Sequence, residues 1–231
     1  MNNEVKAAIL LILLSFIVGT YAYALLPSRV IAYWNIAGQP DGYLPKAVGV
    51  FLGPDIILVL FLIFIIVPRM SQFRANVDTF RADYYRFMLS TIVAYLVLYL
   101  QAILWNMGLM ISFNLTLPIL SGCLFFYIGV VLKNSKRNWF IGIMTPLLSA
   151  HETIWDQTHK TAGNFFEVAG VLSVLSGFVS PYAFLAVLGL LVIGVLGLMI
   201  YTHTHAKSIA NKKNPPNAGR NARNRRLEHG K

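Results

Sequence analysis

The sequence predicts an all-α integral membrane protein: a bundle of six transmembrane helices, one interfacial amphipathic helix and a short structured outer loop. Of its 231 residues, 57% are hydrophobic and only 12% are charged, whereas soluble domains carry about 25% charged residues. Six apolar runs are long enough to cross a hydrocarbon layer about 30 Å thick, which takes about 20 helical residues. They lie at about 7–26, 49–67, 87–107, 112–132, 164–180 and 182–202.

The distribution of basic residues predicts the orientation of this bundle. With the amino terminus inside, all but two of the 19 lysines and arginines fall in inner segments, the exceptions being Arg29 and Lys46. Because cytoplasmic segments of membrane proteins carry an excess of basic residues, both termini are expected in the cytoplasm. The net charge of +10 therefore indicates membrane topology and argues against direct binding of nucleic acid.

Three units are expected along the chain. Residues 1–67 form a two-span unit with an outer loop at 27–48, and residues 68–202 form a four-span unit with a cytoplasmic segment at 133–163. Residues 203–231 form a basic, disordered tail. Such a tail either binds anionic lipid head groups or is simply solvated and fixes topology.

The outer loop combines extended and turn-forming sequence. Arg29–Trp34 is rich in β-branched and aromatic residues, which favour a strand, and Asn35 and Gly42 belong to two turn-forming clusters. We therefore expect a compact loop of the β-hairpin type. Trp34 and Tyr43 are typical either of a recognition surface or of the aromatic belt at the membrane surface.

The segment from Lys136 to Glu167 is the longest stretch that is neither lipid-like nor tail-like. A capping-box pattern begins at Ser149 and predicts a helix start there. That helix would place Trp155 and His159 on one face, and Gly163 would end it with a left-handed cap before the fifth span. The expected product is a separate amphipathic helix of about three turns at the inner membrane surface.

The sequence gives little support for catalysis or metal binding. His151 and Glu152 resemble the start of a zinc-protease helix, but Trp155 occupies the position where the second histidine would bind zinc. No matched nucleophile, base and orienting acid occur, and no glycine-rich phosphate loop is present. A non-enzymatic protein without a cofactor or metal is therefore expected.

Two acidic residues lie inside apolar runs, where an ionisable group is costly and is a candidate for function. We expect structural ion pairs for both: Asp55 with a basic residue of the outer loop, and Glu167 with Arg137 or Lys160. Gln101 and Asn106 are polar groups of the third run, and interhelical hydrogen bonds would satisfy them.

Close packing is indicated for the fifth run. Ser173 and Gly177 have the small-xxx-small spacing that lets helix backbones approach in membranes.

The inner segment resembles the signature of the SdpI family of bacterial immunity proteins. That signature has an Asn-aromatic-Phe-Ile-Gly-Ile-Arg-Thr-Pro core followed by a Trp-x-x-Thr-His-(Arg/Lys)-x-x-Gly run. The matching residues are Asn138, Trp139, Phe140, Ile141, Gly142, Ile143, Thr145, Pro146, Trp155, Thr158, His159, Lys160 and Gly163. Met144 and Leu147 depart from it, standing where the family usually has Arg and often has Trp.

The outer loop resembles a domain of unknown function that often precedes the SdpI signature. The shared residues are Leu26, Pro27, Trp34, Asn35, Gly38, Pro40, Asp41, Gly42, Tyr43 and Lys46. Tyr33 departs from the pattern, which commonly has a histidine at that position.

The resemblance implies protection of a producing cell from a secreted, membrane-active peptide toxin. It also implies signalling, by holding a transcriptional regulator at the membrane once toxin is bound. On this basis an outer recognition surface would comprise Arg29, Trp34, Asn35, Asp41, Tyr43 and Lys46. An inner effector surface would comprise Arg137, Asn138, Trp139, Phe140, Thr145, Pro146, Trp155, His159, Lys160 and Glu167.

Two alternatives remain open from the sequence. A small transporter or channel would need a water-filled path past Gln101 and Asn106. An accessory subunit of a larger membrane complex would use the basic tail to bind its partner or lipid.

Overall fold

The part of the chain that the structure describes folds into six long helices and one small antiparallel sheet. The computed structural model describes residues 2–70, 80–134, 152–180 and 182–213. In chain order the elements are α1 (Asn3–Leu25), β1 (Arg29–Trp34), β2 (Pro40–Pro45), α2 (Lys46–Ile66) with a 3₁₀ turn (Val67–Arg69), α3 (Arg81–Asn106), α4 (Phe113–Asn134), α5 (Glu152–Ser176) and α6 (Ala183–Lys213).

Five of these helices are long and apolar enough to cross a membrane: α1, α2, α3, α4 and α6. The fifth predicted span, at about 164–180, lies mostly in the carboxyl-terminal part of α5, whose first half carries polar residues such as Lys160. The prediction of a helical membrane bundle is thus confirmed, whereas the count of six spanning helices stays a prediction.

The expectation of a separate interfacial helix ending at Gly163 is wrong. Helix α5 runs from Glu152 to Ser176 without a break, so Gly163 lies in its middle. Glycine inside a helix costs about 1 kcal/mol relative to alanine. Here the missing side chain allows a close contact with α4, and that tertiary contact offsets the weak helix preference.

Helices α4 and α5 pack antiparallel through two reciprocal glycine contacts. A Cβ atom on Gly170 would lie 2.6 Å from the carbonyl oxygen of Gly122, and one on Gly122 would lie 2.6 Å from that of Gly170. Gly129 and Gly163 repeat the arrangement, with distances of 2.6 and 2.7 Å. The backbones therefore touch at two levels, seven residues apart on each helix.

The outer part of the same contact confirms the predicted small-residue packing. The Ser173 hydroxyl donates to the carbonyl oxygen of Pro118 at 2.9 Å and lies 3.3 Å from the Ser121 hydroxyl. A Cβ on Gly177 would lie 3.1 Å from the carbonyl oxygen of Leu115. The interface thus continues to the end of α5.

A second packing unit contains α1, α2 and α3. Its centre is a cluster of buried apolar side chains that includes Ala8, Ile57, Met88 and Ile92. The ring of Tyr99 occupies the space that a side chain on Gly53 would need. This unit fixes the position of the sheet, because β2 runs directly into α2.

The expectation that the chain is disordered from residue 203 is wrong for the first part of that segment. Helix α6 continues to Lys213, and the Thr204 hydroxyl donates to the carbonyl oxygens of Ile200 and Tyr201 at 3.0 Å. No glycine or proline lies between the apolar run and Lys213, so nothing local stops the helix where the lipid-like sequence stops. Residues 214–231 lie outside the described part.

The glycine contacts generate a stability prediction. Substitution Gly170→Ala should lower the free energy of unfolding by about 1–3 kcal/mol, the usual cost of forcing a methyl into a packed site, because the atom it meets is a backbone carbonyl. Unfolding in mixed detergent micelles measures the effect.

Gly189→Ala and Gly197→Ala are the matched controls, since nothing lies within 4 Å of a Cβ at either position. They should be neutral or stabilising, as alanine is the better helix former. An equal loss of stability in all three variants would contradict the proposed role of the α4–α5 contact.

Candidate functional site

The outer loop forms the β-hairpin predicted from its sequence. Strands β1 and β2 are antiparallel, with Val30 opposite Leu44 and Ile31 opposite Tyr43. The turn is closed by the Asn35 side chain, whose Oδ1 accepts from the Gln39 amide at 3.0 Å. Gly38 takes a φ of +75° there, a conformation that glycine adopts without strain.

Asn106, the last residue of α3, holds the hairpin onto the helical bundle. Its Oδ1 accepts from the Ile31 amide at 2.7 Å, and its Nδ2 donates to the Ile31 carbonyl oxygen at 3.0 Å. A third bond, 2.9 Å long, runs from Nδ2 to the carbonyl oxygen of Ala102. The predicted interhelical role of Asn106 is thus wrong: its amide pairs with strand and helix backbone.

Gln101 has a related role one turn earlier in α3. Its Nε2 donates at 2.9 Å to the carbonyl oxygen of Ile111, in the loop that joins α3 to α4. This bond joins a helix to a loop and not to another helix. Both amides predicted to line a transport path therefore fix the backbone of the outer end.

An aromatic cluster lies beside the Asn106 clamp. The ring centroid of Trp34 is 4.3 Å from that of Phe113 and 6.0 Å from that of Trp105. The Nε1 atoms of both tryptophans are buried and have no hydrogen-bond acceptor among the residues that the structure describes. Ring packing therefore joins β1 to the start of α4, and Trp34 is an anchor of the hairpin.

The predicted outer recognition residues divide into two groups. Arg29, Asp41 and Tyr43 are exposed on the hairpin, and 54% of Tyr43 is accessible. Lys46 is half-buried: its Nζ donates to the carbonyl oxygen of Leu26 at 3.1 Å and lies 4.5 Å from the centre of the Tyr23 ring. The first group can meet a ligand, whereas Lys46, like Asn35 and Trp34, shapes the loop.

Trp155 and His159 form the predicted pair on one face of α5, and the pair is buried. The two rings stack with centroids 3.8 Å apart and an angle of 16°, and His159 Nδ1 donates to the Trp155 carbonyl oxygen at 3.0 Å. Only 1% of Trp155 and 2% of His159 is exposed. Of the described inner residues, Lys160 is the exposed one and can meet a partner directly.

Glu167 pairs with Lys133 and not with Lys160, one of its two predicted partners; the other, Arg137, lies outside the described part of the chain. Lys133 Nζ lies 2.6 Å from Glu167 Oε2. The stems of the two side chains cross the glycine contact: Lys133 lies over Gly163, and Glu167 lies over Gly129. Lys133 is not recognisable from the sequence as the partner, because it stands at the end of an apolar run, where a basic residue is expected on topology grounds alone.

The predicted ion pair of Asp55 is absent from the described part of the chain. The carboxylate is exposed on α2, and the salt bridges found there join other residues. Lys46, the nearest predicted partner along the helix, points its ammonium group to the end of α1 instead.

Several predicted inner residues lie outside the described part of the chain. They are Arg137, Asn138, Trp139, Phe140, Thr145 and Pro146, together with the capping-box serine Ser149 and His151. Within the described ranges, no three histidine, cysteine, aspartate or glutamate side chains are placed to hold a metal ion.

The outer and inner candidate groups lie at opposite ends of α4. Trp34 contacts Phe113, the first residue of α4, whereas Ala162 of α5 packs against Leu132 near its last residue. At 1.5 Å per residue, the 22 residues of α4 separate the two ends by about 30 Å. That distance matches the hydrocarbon thickness of a membrane.

Fold and geometry together define a multi-helix membrane protein with a structured group at each end of the bundle. Residues 134–202 match the SdpI/YfhL protein family, and residues 10–58 match a domain of unknown function, DUF1648. The chain is also 24% identical over 196 residues to the immunity protein SdpI of Bacillus subtilis (strain 168), covering 84% of this chain and 90% of that protein. No solved structure matches.

The chain is thus similar to DUF1648 in its first part and to the SdpI/YfhL family in its last part, which confirms the resemblance found in its motifs. The DUF1648 match covers most of α1, the hairpin and half of α2. The SdpI/YfhL match covers α5 and the membrane part of α6.

The Asn106 clamp generates a prediction about the hairpin. Asn106→Leu removes all three hydrogen bonds, and each backbone group of Ile31 left without a partner should cost about 1–3 kcal/mol. Amide hydrogen exchange across β1 should accelerate accordingly in detergent micelles.

Gln39→Ala is the control, since that side chain is exposed at the turn and should leave exchange unchanged. If β1 exchanges equally slowly in Asn106→Leu and in wild type, Asn106 does not hold the hairpin.

A double-mutant cycle tests the inner ion pair. Lys133→Met and Glu167→Gln remove one charge each and keep the stems that pack on the glycines. The side chains are 30% and 22% exposed, so a coupling free energy of about 1 kcal/mol is expected.

The Asp83–Arg86 pair is the matched control for this cycle, at 3.5 Å and with side chains 38% and 61% exposed. Its coupling should be at most about 0.5 kcal/mol. Equal coupling in both cycles would mean that the Lys133–Glu167 pair contributes no more than a solvated one.

Proposed function

We propose that this chain is a non-enzymatic immunity protein of the cell membrane that protects its host from a membrane-active peptide toxin. The observation that carries the proposal is that the segments similar to the two families lie at opposite ends of one bundle. DUF1648 supplies the exposed hairpin, and the SdpI/YfhL segment supplies the Trp155–His159 end. The relative from Bacillus subtilis is named an immunity protein, and the match covers 90% of its length.

The hairpin is suited to receive a peptide. Asn106 and the Trp34 cluster hold it on the bundle, so the exposed Arg29, Asp41 and Tyr43 project from a rigid base. Side chains held in place lose less conformational entropy on binding than side chains on a mobile loop. They offer one cation, one anion and one aromatic ring to a ligand at the membrane surface.

The second part of the proposal is a signal to the cytoplasm. Helix α4 touches the hairpin at Phe113 and packs backbone to backbone on α5, which carries Trp155, His159 and the exposed Lys160. A displacement of the hairpin can therefore reach the inner end through one rigid helix pair. We propose that this end binds a cytoplasmic regulator, with both chain termini on the same side and the basic tail on anionic lipid.

Survival of toxin-sensitive cells tests the immunity function. The chain is expressed in cells sensitive to the toxin against which the Bacillus protein gives immunity, at equal amounts in the membrane. Wild type should restore growth. Asp41→Asn and Tyr43→Ala should each reduce protection about tenfold, the effect of losing one contact worth roughly 1.4 kcal/mol.

Gln39→Ala, at the exposed tip of the same hairpin, is the control and should protect like wild type. Wild-type chain that reaches the membrane and gives no protection would contradict the immunity proposal. Full protection by Asp41→Asn and Tyr43→Ala would show that the hairpin does not bind the toxin.

A further inference from the structure

A stripe of side chains along α2 has the spacing of a helix–helix interface and faces away from the bundle. Its positions alternate in steps of four and three, as the a and d positions of a heptad do. Its apolar members are between 39% and 54% exposed, and the one acidic member is exposed too. The stripe consists of Val48, Leu52, Asp55, Val59, Leu62 and Ile66.

The other face of α2 is already occupied. Val50, Gly53, Pro54 and Ile57 are its buried residues, and they contribute to the contacts of α2 with α1 and α3. The stripe is therefore the side of α2 that meets the hydrocarbon of the membrane. Leucine, valine and isoleucine suit that environment, and a carboxylate does not.

Asp55 lies deep in the apolar part of α2. It follows Lys46, the first residue of the helix, by nine residues, or about 13 Å at 1.5 Å per residue. Arg69, at the other end, is about 21 Å away by the same measure. Lys46 donates to the carbonyl oxygen of Leu26, so neither basic residue of this span neutralises Asp55.

An acidic side chain facing lipid at this depth costs at least about 2.5 kcal/mol. Such residues are therefore found facing protein, water or a charge partner. A second copy of this chain is a poor partner, because a parallel two-fold contact through the stripe would bring two Asp55 carboxylates to the same depth, where like charges repel.

We propose that the stripe binds a membrane-spanning helix of a different protein, which carries a lysine or arginine opposite Asp55. The apolar residues of the stripe supply packing, and the ion pair sets the register of the two helices, as single polar residues do in coiled coils. The proposal goes beyond toxin immunity, since it rests on α2 alone and concerns a permanent or regulated partner within the membrane.

Energy transfer in lipid vesicles tests this proposal with a designed probe. The full chain carries a donor at its amino terminus, and the probe is a leucine- and alanine-rich spanning peptide with an acceptor. One peptide has a single lysine about 13 Å from its outer end, and its twin has methionine there. The lysine peptide should bind wild type about tenfold more tightly than the methionine peptide, the order expected for one polar contact between membrane helices.

Variants of the chain locate the effect. Asp55→Asn should abolish the preference for lysine, and Asp55→Glu should retain it. Asp156→Asn removes the same charge from an exposed position on α5 and should behave like wild type. Equal binding of the lysine peptide to wild type and Asp55→Asn would overturn the proposal. So would self-association of the chain that needs Asp55 and no peptide. The vesicles contain no toxin, so a negative result in this experiment does not bear on the immunity proposal, which the survival assay tests separately.

Discussion

The backbone contact between α4 and α5 is the interaction on which the rest of the structure depends. In lipid the hydrophobic effect does not draw apolar helices together, so packing and polar contacts must do so. Glycine at four facing positions lets carbonyl oxygens of one helix approach the backbone of the other. The Lys133–Glu167 pair and the Ser173 hydrogen bond then add polar contacts at both ends of the interface. One closely packed pair of helices results.

This helix pair gives the two motif-rich segments a fixed relation. The hairpin rests on the start of α4 through Trp34 and Phe113, and the Trp155–His159 stack belongs to the first turns of α5. The hairpin and the Trp155–His159 stack are therefore both attached to the helix pair. A protein that senses a molecule on one side of a membrane and responds on the other needs such a stiff connection, and for that reason we propose signalling together with immunity.

Sequence patterns predicted the parts of this fold that depend on local chemistry. Apolar runs long enough to cross a membrane predicted the helices, and the turn residues Asn35 and Gly38 predicted the hairpin. The predictions failed where a contact distant in sequence decided the outcome. Gly163 has the local character of a helix end, and only its approach to Gly129 explains an unbroken α5. Asn106 binds a strand 75 residues away, and Glu167 binds Lys133 on another helix. No spacing in the sequence reveals either pairing.

The Asn106 amide also limits the ways in which a peptide can be recognised at the outer surface. Many proteins capture extended peptides by strand addition, in which the ligand's main chain pairs with an open sheet edge. At Ile31 both backbone groups of β1 are already bonded to Asn106, so an incoming strand would have to break that pairing first. Selectivity at this edge must therefore come from side chains, which differ between sequences, and not from main-chain groups, which every peptide shares.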